Sequence, residues 1–133
     1  MNFRAGLALL VAGTMSLLWG CGARHSAEQI LGCPLPPSAT DIRFADKAGM
    51  FGGDYYVSAA MPASDFTNLL SRLNLRHRPD LLEYWSRALH AQSTPWWTVT
   101  VTNDHNTVFG ERPSTYLVAR YEKGRLYFKC HVY

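Results

Sequence analysis

Five histidines and ten carboxylates supply the acid–base chemistry available to this 133-residue chain, and their spacing decides what they can do. His77, His90, Asp104, His105 and His131 are scattered. No two histidines lie a helical turn apart, and none follows a second ligand at hairpin spacing, so no metal site and no cofactor are expected. Asp104-His105 is the one adjacent carboxylate–imidazole pair, in which an acid could orient a base. Asn103-Asp104-His105-Asn106 is equally the composition of an ordinary turn. There is no Gly-Xaa-Ser-Xaa-Gly elbow. Cys130 and His131 are neighbours on a strand-like run, where successive side chains face opposite sides, so they do not form a nucleophile–base pair. Gly49 to Gly53 is glycine-rich but lacks the lysine and helix of a phosphate loop. No catalytic residue is therefore assigned, and a non-enzymatic protein is expected.

Binding chemistry is better supplied. Arg72, Arg76, His77 and Arg78 crowd a short segment that could meet an acidic partner or solvent. Aromatic neighbours Tyr55-Tyr56, Trp96-Trp97 and Tyr127-Phe128 should each send one ring to either side of a strand, so some rings should be exposed as anchors. Tyr55, Arg76, Arg78, Trp96 and Trp97 are the expected contact residues. A net charge of +3 is too small to imply a nucleic-acid partner.

These residues must be held by a short series of elements. Ile42 and Phe44 alternate with Asp41 and Arg43, and a glycine-rich turn leads to Tyr55–Ala59, which predicts a hairpin. Ser64 is read as an N-cap, with Phe66, Leu69, Leu70 and Leu73 on one face of a helix over 64–73. A second helix is expected from Pro79, with Asp80 and Glu83 early, Arg87 and His90 late, and Leu81, Leu82, Trp85 and Leu89 buried. Thr98 to Thr102 alternates in β-branched residues and reads as a strand before a loop at 103–106. Thr115–Tyr121 and Leu126–Tyr133 flank a glycine-containing turn. The expected fold is α+β, a mostly antiparallel sheet of about five strands with two helices on one face, in the order ββααβββ.

The start of the chain has a different character. Arg4 precedes an uncharged, mostly apolar run from Ala5 to Trp19, and Gly20 is the small residue a signal peptidase requires. Leu18-Trp19-Gly20-Cys21 resembles a lipobox, with Trp19 standing where lipoproteins usually carry a smaller residue. The resemblance identifies the chain as similar to bacterial lipoproteins. It implies a signal peptide over 1–20, a lipidated Cys21 carrying diacylglyceryl and palmitate-like acyl chains, and a lipid bilayer as partner. Gly22 after the cysteine implies the outer membrane, facing the periplasm. The uncharged run also approaches the roughly 20 residues of a membrane-spanning helix, although Gly6, Gly13 and Gly20 interrupt it.

A domain organisation follows: signal peptide 1–20, lipidated N-terminus and tether 21–34, and a single α+β domain over 35–133. Leu35 to Phe44, Gly53-Asp54-Tyr55-Tyr56, Pro62 to Phe66 and Pro95-Trp96-Trp97 look like the layout of small periplasmic lipoprotein domains of bacteria, which implies architecture and no activity. With Cys21 lipidated, two of the three cysteines remain. Cys33 and Cys130 are then expected to form a disulfide, or to stand as free thiols. A bridge closing so long a loop would contribute about 4–5 kcal/mol. The function expected is a protein-binding envelope module, such as an immunity protein against an exported toxin or an accessory subunit of an envelope machine. A cell-wall glycan binder using the same rings, and a small hydrolase using Asp104 and His105, are the alternatives.

Overall fold

A computed structural model describes residues 22–50, 52–78, 80–81, 94–99 and 107–133. The lipobox-like segment ending at Cys21, most of the expected helix after Pro79, residues 100–102, and His90, Asp104 and His105 lie outside the described residues. Helix α1 covers residues 22–31. It is followed by β1 (Thr40–Gly49), β2 (Gly52–Ala60), helix α2 (Ala63–Leu73), β3 (Thr107–Arg112), β4 (Thr115–Glu122) and β5 (Arg125–Val132). The five strands form one antiparallel sheet in the order β1-β2-β5-β4-β3. The α+β class and the five-stranded antiparallel sheet are as expected. The order αββαβββ corrects the expected ββααβββ.

The first correction is α1. Gly22 to Gln29 carries no apolar period and reads as a tether, yet it is helical and docks through only two fully buried residues, Ala27 and Leu31, spaced i,i+4. Polar side chains complete the docking. Arg24 donates to the Ala39 carbonyl at 2.8 Å, and Glu28 accepts the Leu35 amide at 3.0 Å, which fastens the Pro34–Pro37 stretch alongside the helix. Gly32 ends α1 in the left-handed region (φ 77°), its amide closing on the Glu28 carbonyl at 2.8 Å. Arg112 of β3 then reaches the Ile30 carbonyl at 3.2 Å and the Leu31 carbonyl, so a cation covers the negative end of the helix.

Helix α2 begins one residue earlier than expected, with Pro62 at the N-cap position and no side-chain cap. Ser64 is therefore inside the helix. Phe66, Leu69 and Leu73 form its buried stripe, and Asn74 closes it at φ 54° with its amide on the Leu70 carbonyl. Both helices pack on one face of the sheet, where Ala27, Leu31, Phe66 and Leu69 meet Val57, Ala59, Leu117, Ala119, Leu126 and Phe128. Tight turns set the register. Gly52 opens β2 at φ 108°, and a Cβ there would lie 2.3 Å from the Val132 carbonyl oxygen, so the hairpin and the end of β5 approach through glycine alone. Lys123 and Gly124, at φ 51° and 76°, make the β4–β5 turn at the expected place.

The second correction is the third strand. Thr98 and Val99 have no regular structure, and the strand falls at Thr107–Arg112 instead. Tertiary contacts hold these two residues: Val99 packs against the sheet's outer cluster, and the Thr98 hydroxyl lies 2.9 Å from that of Tyr127. The third correction concerns Cys33 and Cys130, which carry free thiols and are not bridged. Both serve as small apolar groups of the helix-side core, Cys130 within it and Cys33 at its margin. Burial pushes both thiols above their ordinary pKa, against the opposing pull of Arg112 near each.

Candidate functional site

Register assigns the chemistry to the sheet face away from the helices. Because side chains alternate, Val57, Phe128 and Leu117 turn to the helices, while Tyr56, Lys129 and Val118 turn to the other face in one row across β2, β5 and β4. Phe109 extends that row onto β3 and Ala45 onto β1. Trp97 sits on it, edge-on to Tyr56 with centroids 5.0 Å apart and to Tyr127 at 5.3 Å. One step along the strands, a second row reads Lys47, Asp54, His131, Tyr116 and Glu111 across all five strands.

The second row is polar throughout, and its centre is bonded. His131 Nδ1 and Asp54 Oδ1 are 2.7 Å apart on directly paired residues. Lys129 Nζ lies 3.6 Å from the same oxygen and 5.4 Å from the centre of the Tyr56 ring. The Lys129 side chain is only 5% exposed, and burial lowers its pKa although Asp54 opposes the shift. Tyr133 crosses the row nearly perpendicular to His131 and to Tyr116, with centroids 4.7 and 5.2 Å away.

Beside Glu111 the sheet edge opens into a cleft of about 280 Å³, lined by Asn74, Arg76, Arg78, Leu81, Phe109 and Glu111. The chain after α2 builds it. Arg76 and Phe109 exchange backbone hydrogen bonds of 2.9 and 2.7 Å, which caps the β3 edge at that point and sets the Arg76 side chain over it. His77 Nδ1 lies 3.3 Å from the Thr107 carbonyl oxygen, which uses this histidine structurally. Arg78 forks onto Asp80 at 2.8 and 3.0 Å. That hydrogen bonding holds the Asp80 carboxyl below its usual range and raises Arg78 further.

The expected contact residues are thus divided among three places. Arg76 and Arg78 meet in the cleft. Trp96 and Trp97 join the outer aromatic cluster, but Trp97 is 6% exposed and is a core residue of that face. Tyr55 points to the helix side and stacks on Phe44. Tyr55-Tyr56 and Tyr127-Phe128 do split between the two faces, whereas Trp96 and Trp97 join the same one; Tyr56, Tyr127 and Phe128 are all buried, so the rings expected outward there are covered. Asp54, Lys129 and Glu111 went unassigned from the sequence. Their only signal was their place on alternating runs, which acquires meaning once strands 54 and 131 are known to be neighbours.

Among the described residues there is no cluster of three or more metal-ligating side chains, and no helix is long and apolar enough to cross a membrane. Comparison of the chain with protein-family models, with curated proteins and with solved structures finds no match.

Proposed function

We propose that this chain is a membrane-anchored envelope lipoprotein, held by acylated Cys21, whose domain binds another protein without catalysing a reaction. The observation that supports a binding role is the cleft at the β3 edge. Arg76 and Arg78, two exposed guanidinium groups, border the apolar surfaces of Leu81 and Phe109. An apolar floor with arginine at its border is the composition that interface anchors favour. An immunity protein or an accessory subunit of an envelope machine would use such a cleft to seat an anchor residue of its partner.

The test is affinity capture from solubilised envelope and secreted protein of the source organism, comparing the wild type with Arg76→Ala/Arg78→Ala. One stoichiometric protein that is retained by the wild type and lost from the double variant supports the reading. Equal retention by both removes it. Anchoring is tested separately by labelled palmitate, with incorporation expected in the wild type and abolished in Cys21→Ala.

A further inference from the structure

We propose that Asp54, His131, Tyr116 and Tyr133 form a binding site for one sugar unit of a neutral saccharide, distinct from the protein-binding cleft. Asp54 anchors the site. Its recorded contacts to His131 and to Lys129 are both made through Oδ1. Among the described residues no hydrogen bond is made to Oδ2, on a side chain that is 29% exposed. A carboxylate so held has one oxygen committed and the other presented as an acceptor, which suits a ligand hydroxyl.

Charge selects the ligand class. Around the row stand two carboxylates, Asp54 and Glu111, and two ammonium groups, Lys47 and Lys129. An anion would face the Asp54 carboxylate, and a cation would face Lys129 beneath it. A hydroxyl-rich neutral molecule meets neither penalty.

The ring geometry supplies the second half of a sugar site. Tyr133 is 59% exposed, the largest open aromatic surface among the described residues. It is fixed in place: its amide donates to the Ser114 carbonyl at 3.1 Å, and its ring abuts His131 and Tyr116. A rigid ring beside a presented carboxylate oxygen matches the two faces of a pyranose, C–H groups on one side and hydroxyls at the rim. Asp54, His131 and Tyr116 come from three adjacent strands in direct register, so the polar half is as rigid as the sheet.

The full chain in detergent micelles is titrated calorimetrically with a β-1,4-linked N-acetylglucosamine tetramer. Saturable binding is expected, weakened at least about tenfold by Tyr133→Ala and by Asp54→Asn, as loss of one stacking surface or one charged hydrogen bond implies. Arg76→Ala should leave it unchanged, and raising NaCl from about 0.1 to 0.5 M should change it less than twofold, since the ligand is neutral. Tyr133 is exposed, so its variant retains the fold, and thermal unfolding verifies this. Absence of saturable binding up to about 10 mM, a dissociation constant reached by even weak sites, overturns the proposal. So does binding unaffected by Tyr133→Ala, or binding abolished by salt. None of these outcomes bears on capture of a protein by the cleft.

Discussion

Replacing Arg112 by alanine tests how α1 is held. The helix buries little, and its polar ties are few, so the two carbonyls that Arg112 covers at residues 30 and 31 should matter out of proportion to their number. A charged donor on a neutral acceptor contributes about 1.5–3 kcal/mol when buried, and a cation at a helix C-terminus about 0.3–1 kcal/mol. The contacts are part-buried and partly replaceable by water, so a net loss of about 2 kcal/mol is expected for Arg112→Ala. Set against a total of about 5–15 kcal/mol for a domain of this size, that is a large fraction. In urea, with a slope of about 1–1.5 kcal/mol per molar, the midpoint should fall by about 1.5 M. Arg112→Lys keeps the charge but not the fork over two carbonyls, and should recover about half. Amide exchange locates the effect: protection over residues 22–31 should drop most, with β5 changed only through global stability. A loss below about 0.5 kcal/mol, or equal loss of protection in α1 and β5, would refute the view that Arg112 fastens the helix.

Three further perturbations address the sheet. Lys129→Met should raise stability at neutral pH by about 1 kcal/mol, because it removes a buried ammonium while His131 still holds Asp54. Burial lowers the Lys129 pKa below 10.5, so the unfolded chain binds the proton more strongly, and wild-type stability from this residue rises with pH across the alkaline window below that value. The gap between variant and wild type should therefore narrow as pH rises in denaturant titrations, and a gap constant with pH would sink the assignment. Cys33 and Cys130 should react with maleimide at least about a hundredfold more slowly in the folded protein than in urea, as timed by mass spectrometry, since burial raises both thiols and limits access. Gly52→Ala should cost about 2–4 kcal/mol in urea unfolding, combining a left-handed backbone with a clash against the end of β5.

The parts of the fold legible from the residues were those whose signal is local. Alternation placed the hairpin and the last two strands, and the Phe66, Leu69 and Leu73 stripe placed α2. What was not legible depends on partners distant in sequence. Helix α1 is held by Arg112, 81 residues from Leu31, and by backbone groups at Leu35 and Ala39, none of which imprints a period on Gly22–Gln29. In β3, Gly110 interrupts the pattern because Leu75 fills its place: a Cβ would stand 2.5 Å from that side chain. A strand that yields one position to a neighbour loses its sequence signature there, while the regular run at 98–102 carries a signature at Thr98 and Val99 that the fold does not use. The same division holds at the site. Arg76 and Arg78 were visible as a cluster in sequence, and Asp54 with His131 was not.

A sheet covered on one side by two helices could bury its other side as well, and the row of Tyr56, Val118 and Phe109, with Tyr127 beside it under Trp97, does so. The adjoining row does not, although its positions alternate on the same strands. Lys129, set between Tyr56 and Val118 in the buried row itself, is costly, since an ammonium only 5% exposed loses hydration that the Asp54 carboxylate 3.6 Å away restores in part. A methionine would fill the same volume at no such cost. Asp54 gains from Lys129 what stability loses: a counter-charge beneath it, which fixes the carboxylate in one orientation at the surface. An arrangement that sacrifices packing to hold a polar group in one orientation is what a binding site requires and a purely structural face does not. Lys129→Met should therefore stabilise the fold and weaken saccharide binding together. A variant that gained stability with binding intact would return Lys129 to an accident of packing.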